Sequence, residues 1–258
     1  MGAPIFQLSQ VTRQFRVTRQ LHMLTALAGV SLSIAAGERV ALIGPSGAGK
    51  STLLSLLNGT LLPSAGQVMI LGQDLRRLSP RQRRRVQRQI GTVYQQHHLV
   101  THLSVIHNVN AGHLGHWSLA KAAVSLLWPQ SVDIAARALA QVGIAEKLYA
   151  RTDRLSGGEQ QRVAIARVLV QDPVAILADE PIASLDPARA HDLMALLCRL
   201  TEQNGKTLVI SLHDIEYAFQ YCTRLVGLRQ GQVQFDAPPA QVTDAMIQKL
   251  YRLEQPAP

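Results

Sequence analysis

Residues 44–51 read Gly-Pro-Ser-Gly-Ala-Gly-Lys-Ser and satisfy every fixed position of the phosphate-loop pattern G-x-x-x-x-G-K-S/T. No other stretch of the chain constrains the fold as strongly, because this loop works only between a strand and a helix. The flanking residues supply both. Arg39, Val40, Ala41, Leu42 and Ile43 read as a buried strand entering the loop, and residues 51–59 carry Leu53, Leu54, Leu56 and Leu57 at helical spacing. Gly44, Gly47 and Gly49 permit backbone angles and close approaches that a Cβ would block. Successive N–H groups then wrap phosphate oxygens in front of a helix N-terminus. Lys50 adds a point charge for the β- and γ-phosphates, and the Ser51 hydroxyl is placed to ligate Mg²⁺.

Two further strings complete the pattern. Val174-Ala175-Ile176-Leu177-Ala178 is a run apolar enough to be buried on both faces, and it ends in Asp179 and Glu180. Open α/β sheets place their ligands at such carboxyl ends. Leu155-Ser156-Gly157-Gly158-Glu159 precedes a helical segment from about residue 159 to 171, whose N-terminus is suited to an anion.

With these strings the chain closely resembles the ATP-binding cassette family, over about residues 5–252. The resemblance implies an α/β fold: a P-loop NTPase with a mostly parallel core sheet, an antiparallel β-subdomain and an inserted helical subdomain. It implies ATP and Mg²⁺ as cofactors, with Gly44, Pro45, Ser46, Gly47, Ala48, Gly49, Lys50, Ser51 and Thr52 as the nucleotide-binding loop. Asp179 would hold Mg²⁺ with Ser51, and Glu180 would orient or deprotonate the attacking water. Gln95 matches the family glutamine that reaches Mg²⁺ and the water. His213, after an expected strand over residues 207–210, matches the histidine that contacts the γ-phosphate. Phe15 matches an aromatic that stacks on adenine; stacking alone does not select adenine over guanine, and a core role for Phe15 is the alternative. Ser156, Gly157, Gly158 and Asp186, the last within Ser184-Leu185-Asp186, match the segments that reach a nucleotide held by the opposite subunit. Two ATPs would therefore join two copies of the chain in an isologous dimer.

The chain's 258 residues, 47% of them hydrophobic, suffice for one sizeable core with a subdomain. No apolar stretch reaches the ~18–20 residues that span a bilayer. The first ten residues lack a basic-then-apolar signal pattern. The expectation is a cytoplasmic protein held on the inner face of the membrane by integral permease subunits, with a solute-binding protein acting indirectly and no nucleic-acid partner. Cys198 and Cys222 both fall in helical apolar patterns and suit buried thiols. The net charge of +9 concentrates in Arg76, Arg77, Arg81, Arg83, Arg84, Arg85 and Arg88. A solvated basic helix is the first reading of this cluster; acidic lipid headgroups and nucleic acid are the others. His97, His98, His102, His107, His113 and His116 crowd into one segment without a neighbouring Cys, Asp or Glu, so surface histidines are expected rather than a metal site.

Along the chain, residues 1–97 and 156–236 should form the nucleotide-binding core, opening with short strands up to residue 40. Residues 98–155 should form the helical subdomain, with Val132, Ile134, Ala135, Ala138, Leu139 and Val142 as one apolar face stopped by Gly143. Residues 237–258 should form a helical tail.

Within the family, residues 91–110, Gly112-His113-Leu114-Gly115 with Trp117, residues 178–187 and residues 227–231 look like the ATP-binding subunit of phosphonate importers, although His97 stands where that subfamily has Phe. Another small polar solute is the alternative cargo. A cassette ATPase acting on DNA or ribosomes is the competing class; the absence of a heptad run between Lys50 and Ser156, and the single cassette, weigh against it. A simple phosphate-loop kinase would leave Leu155 to Glu159 without a purpose.

Overall fold

The computed structural model describes residues 4–16, 23–94, 96, 98–183 and 185–252. In chain order the elements are β1 (Pro4–Arg16), β2 (Met23–Ala35), β3 (Arg39–Ile43), α1 (Lys50–Leu57), β4 (Ala65–Ile70), β5 (Gln73–Asp74), α2 (Pro80–Arg88), β6 (Ile90–Val93), α3 (Val105–Asn110), α4 (Leu119–Leu127) and α5 (Val132–Gln141). They continue with α6 (Gly157–Gln171), β7 (Ala175–Asp179), α7 (Pro187–Gln203), β8 (Thr207–Leu212), α8 (Ile215–Tyr221), β9 (Arg224–Arg229), β10 (Gln232–Ala237) and α9 (Asp244–Tyr251).

A six-stranded sheet in the order β10-β9-β3-β8-β7-β6 forms the centre, parallel throughout except at β10. Its middle strands are apolar on both faces because both faces are covered; all six residues of β8 are buried. On one face, Leu42, Leu177, Val209 and Val226 meet Leu53, Leu56 and Leu57 of α1 and the inner side of the second sheet. On the other, Ala41, Ile43, Ile176 and Ile210 meet α6, α7 and α8.

The second sheet is antiparallel, in the order β2-β1-β4-β5. Where short strands with turns were expected before residue 40, β1 and β2 are each 13 residues long. Bulges reconcile the two: the pairing shifts register between Leu8 and Val11, where Gln10 takes φ 49° and its N–H donates to Ser31 Oγ at 3.0 Å. Arg224 of β9 fastens the sheets together, donating to Asp236 Oδ1 at 2.6 Å, to Glu38 Oε2 at 2.9 Å and to the Ser33 carbonyl at 2.9 Å.

The inserted segment is helical. α3 and α5 pack on α6, so the insert shares one apolar core with the central sheet. On α5, Ala135, Ala138 and Leu139 are buried but Ile134 is exposed, one position off the buried stripe. Asn108 ties the base of the insert together, donating to the Val100 carbonyl and Thr152 Oγ1, each at 2.9 Å. Both cysteines are buried and free; Cys198 lies in α7, whereas Cys222 sits in extended backbone just past α8 rather than in a helix. Among the described residues no helix is long and apolar enough to cross a membrane, and no group of three or more His, Cys, Asp or Glu is placed to hold a metal.

Candidate nucleotide site

Strand β3 runs into the loop of residues 44–49, and α1 begins at Lys50. Gly49 holds φ 104°, and a Cβ there would lie 2.6 Å from the Ala26 carbonyl oxygen and 2.8 Å from a Leu27 methyl. The glycine thus answers both a backbone angle and a close approach to β2. The N–H groups of Gly47 and Gly49 find no acceptor among the described residues. Such free donors at a helix start form the cradle that phosphate oxygens require.

Lys50 is 4% exposed, with Nζ donating to the carbonyls of Gly44 at 2.7 Å and Pro45 at 3.1 Å. Burial pushes its pKa down, while the charges of Glu180 and Asp179 pull it back up. The lysine therefore already stands in the field of the two acids at the end of β7.

Those acids are held by the neighbouring strand. Ser211 Oγ of β8 donates to Asp179 Oδ1 at 2.7 Å and accepts the Glu180 N–H at 2.9 Å. Ser51 Oγ donates to the same Asp179 oxygen at 3.1 Å. Ser51 and Asp179 together present hard oxygen donors beside the loop, a set that suits Mg²⁺. Glu180 sits at φ 47°, a left-handed conformation unusual for glutamate, and its Oε1 lies 2.6 Å from His213 Nε2. Gln161 of α6 donates to the Pro181 carbonyl, joining this corner to the helix after Leu155.

A cleft of about 390 Å³ opens over the loop, lined by Phe15, Leu24, Thr25, residues 46–52, Glu180 and His213. The Phe15 ring forms part of its wall with the Arg13 guanidinium 4.5 Å from the ring centre. The structure thus gathers Phe15, the loop, Glu180 and His213 around one space, with Asp179 behind Ser51. Gln95, His97 and Ser184 lie outside the described residues.

Ser156, Gly157, Gly158 and Asp186 do not line this cleft. Ser156 caps α6 in a capping box: its Oγ accepts the Glu159 N–H at 3.3 Å, and its own N–H donates to Glu159 Oε2 at 2.8 Å. Lys147 pairs with Glu159 at 3.0 Å. The Ser156 hydrogen bonds and the Lys147 pairing keep the Glu159 carboxyl below its usual pKa. A Cβ on Gly157 or Gly158 would meet nothing within 4 Å, so this turn is open to an outside group. Asp186 caps α7, accepting the Arg189 N–H at 3.0 Å.

Two contributors had no marker in the sequence reading. Ser211 is a hydroxyl in a largely apolar strand, and its role comes from burial beside the acids, which only the fold provides. Tyr251 of α9 accepts the Gly44 N–H at 3.1 Å, tying the tail to the loop. Nothing in the tail's pattern distinguished it.

Comparison with known proteins gives the family. The ABC transporter family profile matches residues 27–183. The phosphonates import ATP-binding protein PhnC of Pseudomonas fluorescens (strain Pf0-1) is 47% identical over 236 residues, covering 90% of this chain and 89% of that protein. PhnC 3 of Halalkalibacterium halodurans is 43% identical over 225 residues, covering 87% of each chain. The solved dimeric structure of a bacterial ABC transporter cassette superposes with a TM-score of 0.78 at 32% identity, covering 91% of this chain and 98% of that one. With the phosphate loop, the acidic strand end and the Leu155–Glu159 turn placed as described, the chain belongs to the ABC transporter family as an ATP-binding cassette.

Proposed function

We propose that this chain is the ATP-hydrolysing subunit of an importer for phosphonate or a related small phosphorus oxyanion. The observation that carries the ATPase reading is the split between two half-sites. One cleft is lined by the loop, Glu180 and His213, with Asp179 bonded to Ser51 beside it, while the open Ser156 turn lies elsewhere on the same chain. A second copy, placed head to tail, would bring its Ser156, Gly157 and Gly158 donors to the phosphates held by the first, with Asp186 at the same contact. The cargo reading is supported by relatives named as phosphonate import proteins; small polar solutes of other kinds are its alternative.

In this reading the loop N–H groups and Lys50 bind the phosphates, and Phe15 stacks on the base. Ser51 and Asp179, with Gln95, would hold Mg²⁺, whose charge offsets that developing on the phosphate oxygens. Glu180 orients the attacking water or accepts its proton, and His213, paired with Glu180 Oε1 at 2.6 Å, stands beside it to contact the γ-phosphate. Loss of the γ-phosphate removes what joins the two copies, and the dimer opens. Integral permease subunits would convert that opening into transport, with the chain on the inner face of the membrane and a solute-binding protein acting through the permease. The helical insert of residues 98–155 would be the part that moves with the permease.

The test is the solution mass of purified Glu180→Gln with and without ATP, by light scattering after size exclusion. A shift from one chain to two on adding ATP is expected. A chain that binds ATP, stays monomeric alone and also stays unpaired in the presence of its permease would overturn the composite site. For the cargo, deletion of the gene should abolish growth on a phosphonate as sole phosphorus source while leaving growth on phosphate intact.

A further inference from the structure

The helical insert carries an inverted helix. In α4 the buried side belongs to Ser125, whose Oγ donates to the Ala122 carbonyl at 2.7 Å. The exposed side is apolar: Leu119 is 91% exposed, Leu127 77% and the following Trp128 70%, with Val124 and Leu126 also open. Burial normally takes the other face. The chain has two tryptophans, Trp117 and Trp128, and they flank this one helix.

Beside it lies a helix of one charge. α2 contains five arginines in nine residues, with no acid in its first turn. Arg81, Arg84, Arg85 and Arg88 fall at i, i+3, i+4 and i+7, all exposed, forming one stripe opposite the buried Val86. Among the described residues none of the four is paired with a carboxylate. Like charges at this spacing weaken a helix, and so does a cation near its N-terminus. The stripe meets the segment that leads into the apolar helix. The stem of Arg88 passes over Gly115, where a Cβ would lie 2.9 Å from Arg88 Cγ, and Gly115 leads through Trp117 into α4.

We propose that α2 and the Gly115–Trp128 segment form a docking face for the surface of an anionic lipid bilayer. Nucleic acid would take the arginines but leave the leucines in water. A bilayer surface takes both: arginines meet phosphate headgroups while leucines and tryptophans enter the interfacial layer. This face would hold the cassette against the membrane independently of any permease. Its geometry and charge are separate from the nucleotide cleft, so it stands whether or not the import reading does.

The experiment is flotation of the purified full chain with vesicles of phosphatidylglycerol mixed into phosphatidylcholine, against phosphatidylcholine alone. Binding is expected only to the anionic vesicles and should weaken as salt rises. Because Trp128 is exposed in the face, intrinsic fluorescence should shift to the blue on binding and be quenched by brominated lipids. Charge reversal at Arg81, Arg84 and Arg85 together should weaken binding by roughly fivefold or more per arginine. Leu126→Ser with Leu127→Ser should remove the fluorescence shift. Circular dichroism and ATP hydrolysis of the same preparations separate loss of the face from loss of fold or of the nucleotide site. Equal binding to neutral vesicles, no binding at low salt, or capture only by vesicles carrying the permease would overturn the lipid assignment; the last would give the face to a protein.

Discussion

Ser211 Oγ donates to Asp179 Oδ1 at 2.7 Å and itself accepts the Glu180 N–H at 2.9 Å. One hydroxyl on β8 thus sets the position of both acids at the end of β7. Ser211→Ala would leave the Glu180 N–H without this acceptor in a site where Glu180 already holds a left-handed conformation. An unsatisfied buried group costs roughly 1–3 kcal/mol. The expected result is a chain that folds with reduced stability, hydrolyses ATP at least about tenfold more slowly and needs more Mg²⁺ to do so. A Mg²⁺ titration of hydrolysis by the purified variant checks it. An unchanged Mg²⁺ midpoint would show that the serine only packs the strand.

Gly49 and Gly47 separate two costs of adding a methyl group. At Gly49 a Cβ meets Ala26 and Leu27 as well as a φ of 104°, whereas at Gly47, with φ 77°, it meets nothing within 4 Å. Gly47→Ala should therefore carry only backbone strain, about 1–2 kcal/mol. Gly49→Ala should cost distinctly more, through displacement of β2, and should weaken nucleotide binding. Denaturant unfolding of the two variants with a fluorescent nucleotide titration decides between them; equal losses at both positions would mean that β2 yields freely.

Much of the core was legible in the sequence because buried parallel strands declare themselves. Residues 40–43, 175–178 and 207–210 are near-continuous apolar runs, and they fall in β3, β7 and β8 of the central sheet, with β8 running on to Leu212. The phosphate loop, Glu180 and His213 line one cleft, with Asp179 bonded to Ser51 beside it, because each stands at the carboxyl end of a strand in one sheet. The N-terminal ribbon was harder. Short strands were expected before residue 40, yet β1 and β2 run 13 residues each through bulges near Gln10 and Gly29, a choice made by pairing between distant residues. Ser211 and Tyr251 were invisible for a related reason: a hydroxyl acquires its role from whatever the fold sets opposite it.

Ser156 poses the question of which chain it serves. Within its own chain it caps α6, so Ser156→Ala should cost about 1 kcal/mol of stability. Its second role is testable by mixing. Lys50→Ala and Ser156→Arg should each be inactive alone. In a mixed dimer one composite site carries both changes and the other carries neither. Mixing equal amounts should then restore roughly a quarter of the unmutated rate, since half the dimers are mixed and each keeps one intact site. Steady-state hydrolysis after mixing, with dimer formation confirmed by light scattering, is the measurement. Mixed dimers that stay inactive would place both halves of the site on one chain.

Cys222 lies buried behind α8, and burial pushes its thiol up to about 12 from an ordinary 9.0, with the nearby Cys198 adding to the shift and Arg39 opposing it. Only the thiolate reacts quickly with alkylating reagents. Both cysteines of the native chain should therefore resist labelling at neutral pH and react together once the chain is unfolded, when counted by mass spectrometry. The linkage has a definite sign. A group whose pKa is raised by folding contributes stability that is full below its unfolded value and is lost as pH climbs through the folded one. The thermal midpoint should thus decline between about pH 9 and 12, and Cys222→Ala should flatten that decline while introducing a small cavity cost at every pH. A decline of unchanged slope in the variant would assign the alkaline loss to other groups, with the raised Tyr217, Tyr221 and Tyr251 hydroxyls next in line.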